Sequence, residues 1–357
     1  MKRCILVIII MFTLALPVSA MEFDAPVVPD DGAQYMPQEI TSFGKDLWFI
    51  IKSVVLNIKP EIAQAAALCL NLIGIVLLSA MLAGITERTK ALTEFVAIVA
   101  IAILLLQTTD ALINLGAQTV KRISEYGKLL MPVMTAAMAA QGGVTSSAAL
   151  YTGTSIFSTV LTNVIGELLV PLLYVYLCLC IASNAIAEDI LKKLRNLVKW
   201  VLTWSLKLIL YVFTGYISIS GVVSGSADAS MIKATKLTLS GSIPVVGSII
   251  SDASETILVS AGMMKNAAGV YGVLAIIALW IGPFIKVVIQ YLLLKMTAAV
   301  CSVFGTKRVV SLIQDISSAM GFVLAMISTI SLLLTIAVVC FMNGVSGWVM
   351  SENICFQ

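Results

Sequence analysis

Apolar residues in this chain come in long unbroken runs rather than in alternation with polar ones. No charged side chain occurs from residue 316 to 351, and residues 63–85, 168–187, 200–223, 266–285 and 320–345 are all strongly apolar. A helix rises about 1.5 Å per residue and the hydrocarbon core of a bilayer is about 30 Å thick, so about 20 apolar residues suffice to cross it. A sixth run, 93–117, qualifies with Glu94 at one interface and Asp110 near the other. The pattern predicts six spans.

Two regions leave the count open toward eight. Residues 129–166 carry no charge, and they are dense in Ala, Gly, Ser and Thr. Such a stretch suits closely packed helices or a re-entrant pair, and it must cross an even number of times. Residues 286–306 are apolar but contain Lys286 and Lys295, with Lys307 and Arg308 directly after. If they do not span, the C-terminal tail 346–357 ends outside; if they do, it ends inside.

The N-terminus reads as a cleavable signal peptide over 1–20. Lys2 and Arg3 are its positive region, 5–16 its short apolar region, and Val18-Ser19-Ala20 its small-residue cleavage site. Residues 21–44 form an acidic, Pro-containing linker, with Pro26, Pro29 and Pro37, that is expected to stay extended outside the membrane. In 45–62, Leu47, Trp48, Ile51, Val54, Val55 and Ile58 share one helical face, away from Lys45, Lys52 and Lys59. That segment is expected to lie in the interface as an amphipathic helix.

Basic residues set the expected orientation. With the mature N-terminus outside, Arg88 and Lys90 fall inside, and so do Lys192, Lys193, Arg195 and Lys199. Ile190, Leu194, Leu197 and Val201 recur at helical spacing across that basic segment, so 188–199 is expected to be a second amphipathic helix against the inner headgroups. The fold class is therefore all-α: a polytopic integral membrane protein of about six to eight transmembrane helices in 63–345, with interfacial helices and a candidate re-entrant loop at 224–265. In that loop Pro244 and Gly247 break an apolar run, as broken helices do where they line a cavity.

Composition sharpens this picture mainly by exclusion. Charged residues are 11% of the chain and hydrophobic ones 60%, against about 25% charged in soluble domains. A net charge of +3 gives no nucleic-acid footprint. There is no His, so Ser-His catalysis and His-metal chemistry are outside this subunit's means. No phosphate-binding loop appears, and no cofactor is expected. Of the seven Cys, Cys69, Cys178, Cys180 and Cys340 sit in apolar runs, and only Cys301 and Cys355 are placed to reach water. Cys178 and Cys180 would point to different faces of one helix, so they read as buried small residues rather than a metal or disulfide pair.

The motif at 243–253, Ile-Pro-Val-Val-Gly-Ser-Ile-Ile-Ser-Asp-Ala, resembles the signature of the stage III sporulation protein AE family. The resemblance includes Lys265-Asn266-Ala267-Ala268-Gly269, Ala234-Thr235-Lys236, Leu130-Met131-Pro132, Gly142-Gly143-Val144-Thr145 and Pro171-Leu172. It covers roughly residues 121–334, and departs from the family pattern at Asp228-Ala229, where Asp-Gly is usual. It implies a non-enzymatic, mother-cell membrane subunit of the channel-like, feeding-tube apparatus that links mother cell and forespore during endospore formation. Implied partners are the other stage III A-operon proteins, including the ATPase-like AA, the forespore protein Q, and the bilayer itself. No catalytic residue is established for the family.

The candidate structural, pore-lining or docking residues are Pro244, Gly247, Asp252, Lys265, Asn266, Gly142 and Gly143. Pro244 and Gly247 have a plainer role open to them as a turn, with Asp252 capping a helix from Ala253. Asp110 and Lys295 are the deepest intramembrane charges by position, and one of them is a candidate for a polar pathway; interface anchoring is the alternative for all such charges. A stand-alone permease for a small solute is the competing function, though no internal repeat supports it. A membrane-bound enzyme is a third class, which the missing His disfavours.

Overall fold

A computed structural model of the chain describes residues 26–37, 42–83, 87–186, 188–242 and 247–343; the side chains of 31, 83–90 and 220–261 fall outside the description. The signal peptide 1–20, Pro244 and the tail 346–357 lie outside the described residues. Among the described residues there is no strand. The helices are α1 (Asp30–Ala33), α2 (Phe43–Asn57), α3 (Lys59–Ala83), α4 (Glu87–Ala140), α5 (Val144–Asn163), α6 (Val170–Ile186), α7 (Asp189–Ser242), α8 (Gly247–Cys301) and α9 (Lys307–Asn343). A π-helical turn, Val164–Leu169, joins α5 to α6. Among the described residues six helical stretches are long and apolar enough to cross a membrane, one on each expected span.

Their lengths are the larger finding. α4 has 54 residues, α7 54 and α8 55; at about 1.5 Å per residue each is about 80 Å long. Even at a steep tilt of about 40° a helix needs only about 26 residues to cross the core. About half of each of these helices therefore lies beyond the hydrocarbon. Inside α4 and α8, Pro132 and Pro283 each withhold one N–H and leave the carbonyls of Lys128 and Leu279 without their helical donor. Membrane helices tolerate this because neighbours compensate.

The small-residue region 129–166 is a helical hairpin. α4 runs on to Ala140 and the chain returns as α5 after a tight turn. Gly142 has φ 91°, the left-handed region in which a Cβ is unfavourable. The Gly142 and Gly143 amides donate to the carbonyls of Ala139 and Met138, at 2.9 and 3.1 Å, which ends α4 cleanly.

Segment 286–301 is the C-terminal part of α8. Lys286 pairs with Glu61 at the start of α3, 2.6 Å apart, and a Cβ on Gly305 would meet Val76 further along α3. The two contacts set this segment alongside the first span, so it runs with α3 rather than lying flat.

Helix α9 occupies the centre, touching α4, α5, α6, α7 and α8. It buries Val309, Leu312, Ile313, Ile316, Met320, Val323, Ile327, Ile330, Leu334 and Phe341, a stripe too wide for an ordinary one-faced helix. Close approach depends on small residues. A Cβ on Gly116 would strike Val323, one on Gly127 would lie 2.8 Å from Leu334, and one on Gly272 would lie 2.5 Å from Leu130. On the far side, the Tyr216 ring of α7 occupies the space a Cβ on Gly153 of α5 would take and its hydroxyl donates to the Ala149 carbonyl at 2.9 Å. Phe157 completes that seam edge-on to Phe213, 5.5 Å between centroids.

Three expectations need correction. Residues 28–36 do not hang free: Val28 is buried, and Gly32 and Tyr35 pack on Leu279 and Gly282 of α8. Apolar side chains among the acids drive this docking, which the linker composition hid. The loop expected at 224–265 is instead the continuation of α7 to Ser242 and the start of α8 from Gly247. A helix satisfies its own backbone groups, so no cavity is required there. Third, 188–199 does not lie along the headgroups but forms the first turns of α7 in line with its span, because nothing breaks the helix between Lys199 and Trp200. The N-terminal amphipathic helix does form, as α2, with Ile50 packed on α8, Val54 also buried, and Trp48, Val55 and Leu56 left exposed. Pro60, which cannot donate to the Leu56 carbonyl, separates α2 from α3.

The glycine contacts predict opposite effects for one substitution. Gly153→Ala should destabilise the protein by about 1–3 kcal/mol through overpacking against Tyr216. Gly74→Ala, which meets open space, should be neutral or gain up to about 1 kcal/mol of helix propensity. Thermal melts in detergent read both.

Candidate functional site

The sequence-derived candidates occupy two distant parts of the bundle. Gly142 and Gly143 form the α4–α5 turn, and Gln141 beside them reaches α8: a Cβ on Gly262 would lie 2.5 Å from its Nε2. One turn on, Lys265 is only 2% exposed, among the largest fully buried side chains. It makes no hydrogen bond or ion pair to another described residue. A further turn on, Gly269 packs against Met342 at the end of α9. The C-terminal ends of α4 and α9 thus meet α8 between Gly262 and Gly269, and Gln141 Oε1 is buried there without a hydrogen bond among the described residues. Asn266, next in sequence, faces outward.

Gly247 starts α8 and Asp252 lies within it. The cap expected at Asp252 is therefore not formed there, because the helix begins five residues earlier. Asp110 and Lys295 both lie on the outer surface of the bundle. Tyr174 donates to Asp110 Oδ1 at 2.6 Å and Asn114 to Oδ2 at 3.2 Å. Lys295 donates to Tyr291 Oη at 2.9 Å. Both charges have local partners, and neither is enclosed within the bundle. Cys301, expected to reach water, is fully buried beside α3, where the end of α8 turns into the bundle.

A second polar centre was not visible in the sequence. Arg195 of α7 and Asp315 of α9 form an ion pair, 2.5 Å, with side chains only 16% and 15% exposed. Asn184 of α6 donates to the same carboxylate at 3.1 Å and to the Cys180 carbonyl at 2.8 Å. Three helices are tied at one carboxylate, and the residues involved are up to 131 positions apart. Local periodicity carries no trace of such a link; the one available hint is that Asp315 is the sole acid of α9. Nearer the same end, Arg308 and Glu94 pair at 3.7 Å across α9 and α4.

Fold and site together define a multi-pass, all-helical membrane protein whose polar centres join helices. Among the described residues no three His, Cys, Asp or Glu side chains gather to hold a metal. A family model described as Stage III sporulation protein AE matches residues 34–344, and the chain belongs to that family. It is similar to the Stage III sporulation protein AE of Bacillus subtilis (strain 168), 25% identical over 231 residues. The alignment covers 65% of this chain and 58% of that relative, less than two thirds of its length. No solved structure matches. The family places the role of this membrane protein in sporulation.

The three-helix tie predicts asymmetric mutational costs. Removing one partner of a buried pair leaves the other uncompensated, so Arg195→Met or Asp315→Leu alone should cost about 3–5 kcal/mol, and the double variant should recover much of that loss. Melting of all three in detergent measures the difference.

Proposed function

We propose that the chain is a non-enzymatic, integral subunit of the transenvelope channel complex that links mother cell and forespore during endospore formation. Its place is the mother-cell membrane, with the mature N-terminus extracytoplasmic and the basic start of α7 in the cytoplasm, as the positive-inside pattern favours. Membership of the AE family is one support. The observation that carries the reading is where the charges of the apolar helices lie. Asp110 and Glu167 are both exposed on the outside of the bundle. Ionisable groups facing lipid are expensive and usually face a protein or a watery cavity. A subunit in contact with neighbours satisfies that requirement, whereas a stand-alone permease would turn such groups inward.

The work of this subunit is assembly. The long helices carry the Lys265 junction and the signature motif around Asp252 toward partners outside the hydrocarbon, and the start of α7 faces partners in the cytoplasm. Those partners are the other stage III A-operon proteins, the ATPase-like AA among them, with the forespore protein Q meeting the assembly from the other side. Tagged protein purified from gently solubilised sporulating cells should bring these partners with it, as read by mass spectrometry. Recovery of a stable lone particle that moves a solute in vesicles would overturn the proposal in favour of a permease.

A further inference from the structure

A groove of about 470 Å³ runs down the outside of the bundle between α7, α8 and α9. Its rim carries Lys199 and Lys207 of α7, Tyr291 of α8 and Ser318 of α9, and its floor is apolar, formed around Gly321 and Phe322. The volume is within the range of small-molecule sites, about 300–1,000 Å³.

Charge decides the class of occupant. The two lysines lie eight residues apart on one helix, about 12 Å along its axis. Both side chains are long and flexible enough for their ammonium groups to converge on one headgroup. No acid lines the groove. Asp315, the acid whose field Lys199 feels, is already bonded to Arg195 and Asn184. Lys295, donating to Tyr291 Oη, adds a third cation beside the rim. On the neighbouring face Trp200 and Trp204 are exposed, with ring centroids 6.1 Å apart, the kind of aromatic pair that marks a headgroup level.

A cationic, hydroxyl-bearing rim over an apolar floor, on the lipid-facing side of a membrane helix bundle, matches one chemistry. We propose that this groove holds an anionic phospholipid, its phosphate between Lys199 and Lys207 and an acyl chain along Phe322. The leaflet is the one at the Asp189 end of α7, which is cytoplasmic on the orientation given above. The site itself depends on neither that orientation nor the channel proposal, so a soluble readout of lipid binding tests it separately.

The test is native mass spectrometry of the full chain in detergent, with added phosphatidylglycerol or phosphatidylcholine of identical acyl chains. The wild type should retain phosphatidylglycerol preferentially. K199Q/K207Q should lose that preference by about fivefold per lysine. G321L keeps both lysines and fills the floor; a Cβ there makes only ordinary contact with the Tyr291 ring, at 3.5 Å, and the variant should lose phosphatidylglycerol while melting like the wild type. K192Q/K193Q, which removes charge elsewhere on α7, should retain it. Equal retention of the two lipids by the wild type would overturn the proposal, as would an equal loss in K192Q/K193Q. A lipid-free dimer that dissociates in K199Q/K207Q would assign the groove to a second copy and also overturn it.

Discussion

Helix length set against bilayer thickness is the constraint on which the rest of this structure depends. In hydrocarbon every peptide N–H and C=O must be bonded within the chain, and helices achieve this whatever the side chains. Helices of 54 and 55 residues exceed the core by about twofold. The same continuous rods must then satisfy two solvents. One half meets lipid with apolar side chains, and the other continues as packed helix beyond it. The α4–α5 hairpin, the continuation of α7 to Ser242 and the first turns of α8 follow from this single fact.

Inside lipid there is little hydrophobic drive to bring helices together, so close packing and polar links must do it. The central helix α9 shows both. Gly116 and Gly127 of α4 let its Val323 and Leu334 approach the backbone, and Asp315 gathers Arg195 and Asn184 from two other helices. The carboxylate also sets the rotation of α7. With Arg195 and Val198 held inward, Ile190, Leu194 and Leu197 are left exposed, so the apolar face of the basic segment is presented outward.

The six apolar runs were legible because a span must be apolar along about 20 residues, a signal that survives without knowledge of packing. What was not legible was continuity. Lys121, Arg122, Glu125 and Lys128 end the apolar run at 117 and read as a membrane exit. In the structure Lys121, Glu125 and Lys128 lie exposed on one face of α4, while Ile123, Tyr126 and Leu130 are buried on the other. The helical period was present in those residues, but the change of solvent masked it. On either side of 243–246 the chain is helix, to Ser242 and from Gly247, rather than the loop its polar residues suggested. The Arg195–Asp315 link, between residues 120 apart, leaves no pattern in the sequence, and the exposed positions of Asp110 and Lys295 depend on rotations that hydropathy does not fix.

A role in sporulation rests on family membership; assembly rather than chemistry is the mechanism proposed for it, and it requires helices that stand clear of the membrane. The most direct measurement is cysteine labelling along α4 and α5, in a chain whose own seven cysteines are replaced. Single cysteines at Ile103, Leu129 and Val144, all exposed on the bundle, would be treated with a membrane-impermeant maleimide from outside intact cells. The account predicts labelling at Val144 and Leu129 and protection at Ile103. Protection at Val144 equal to that at Ile103 would contradict it, because the hairpin would then lie within the bilayer.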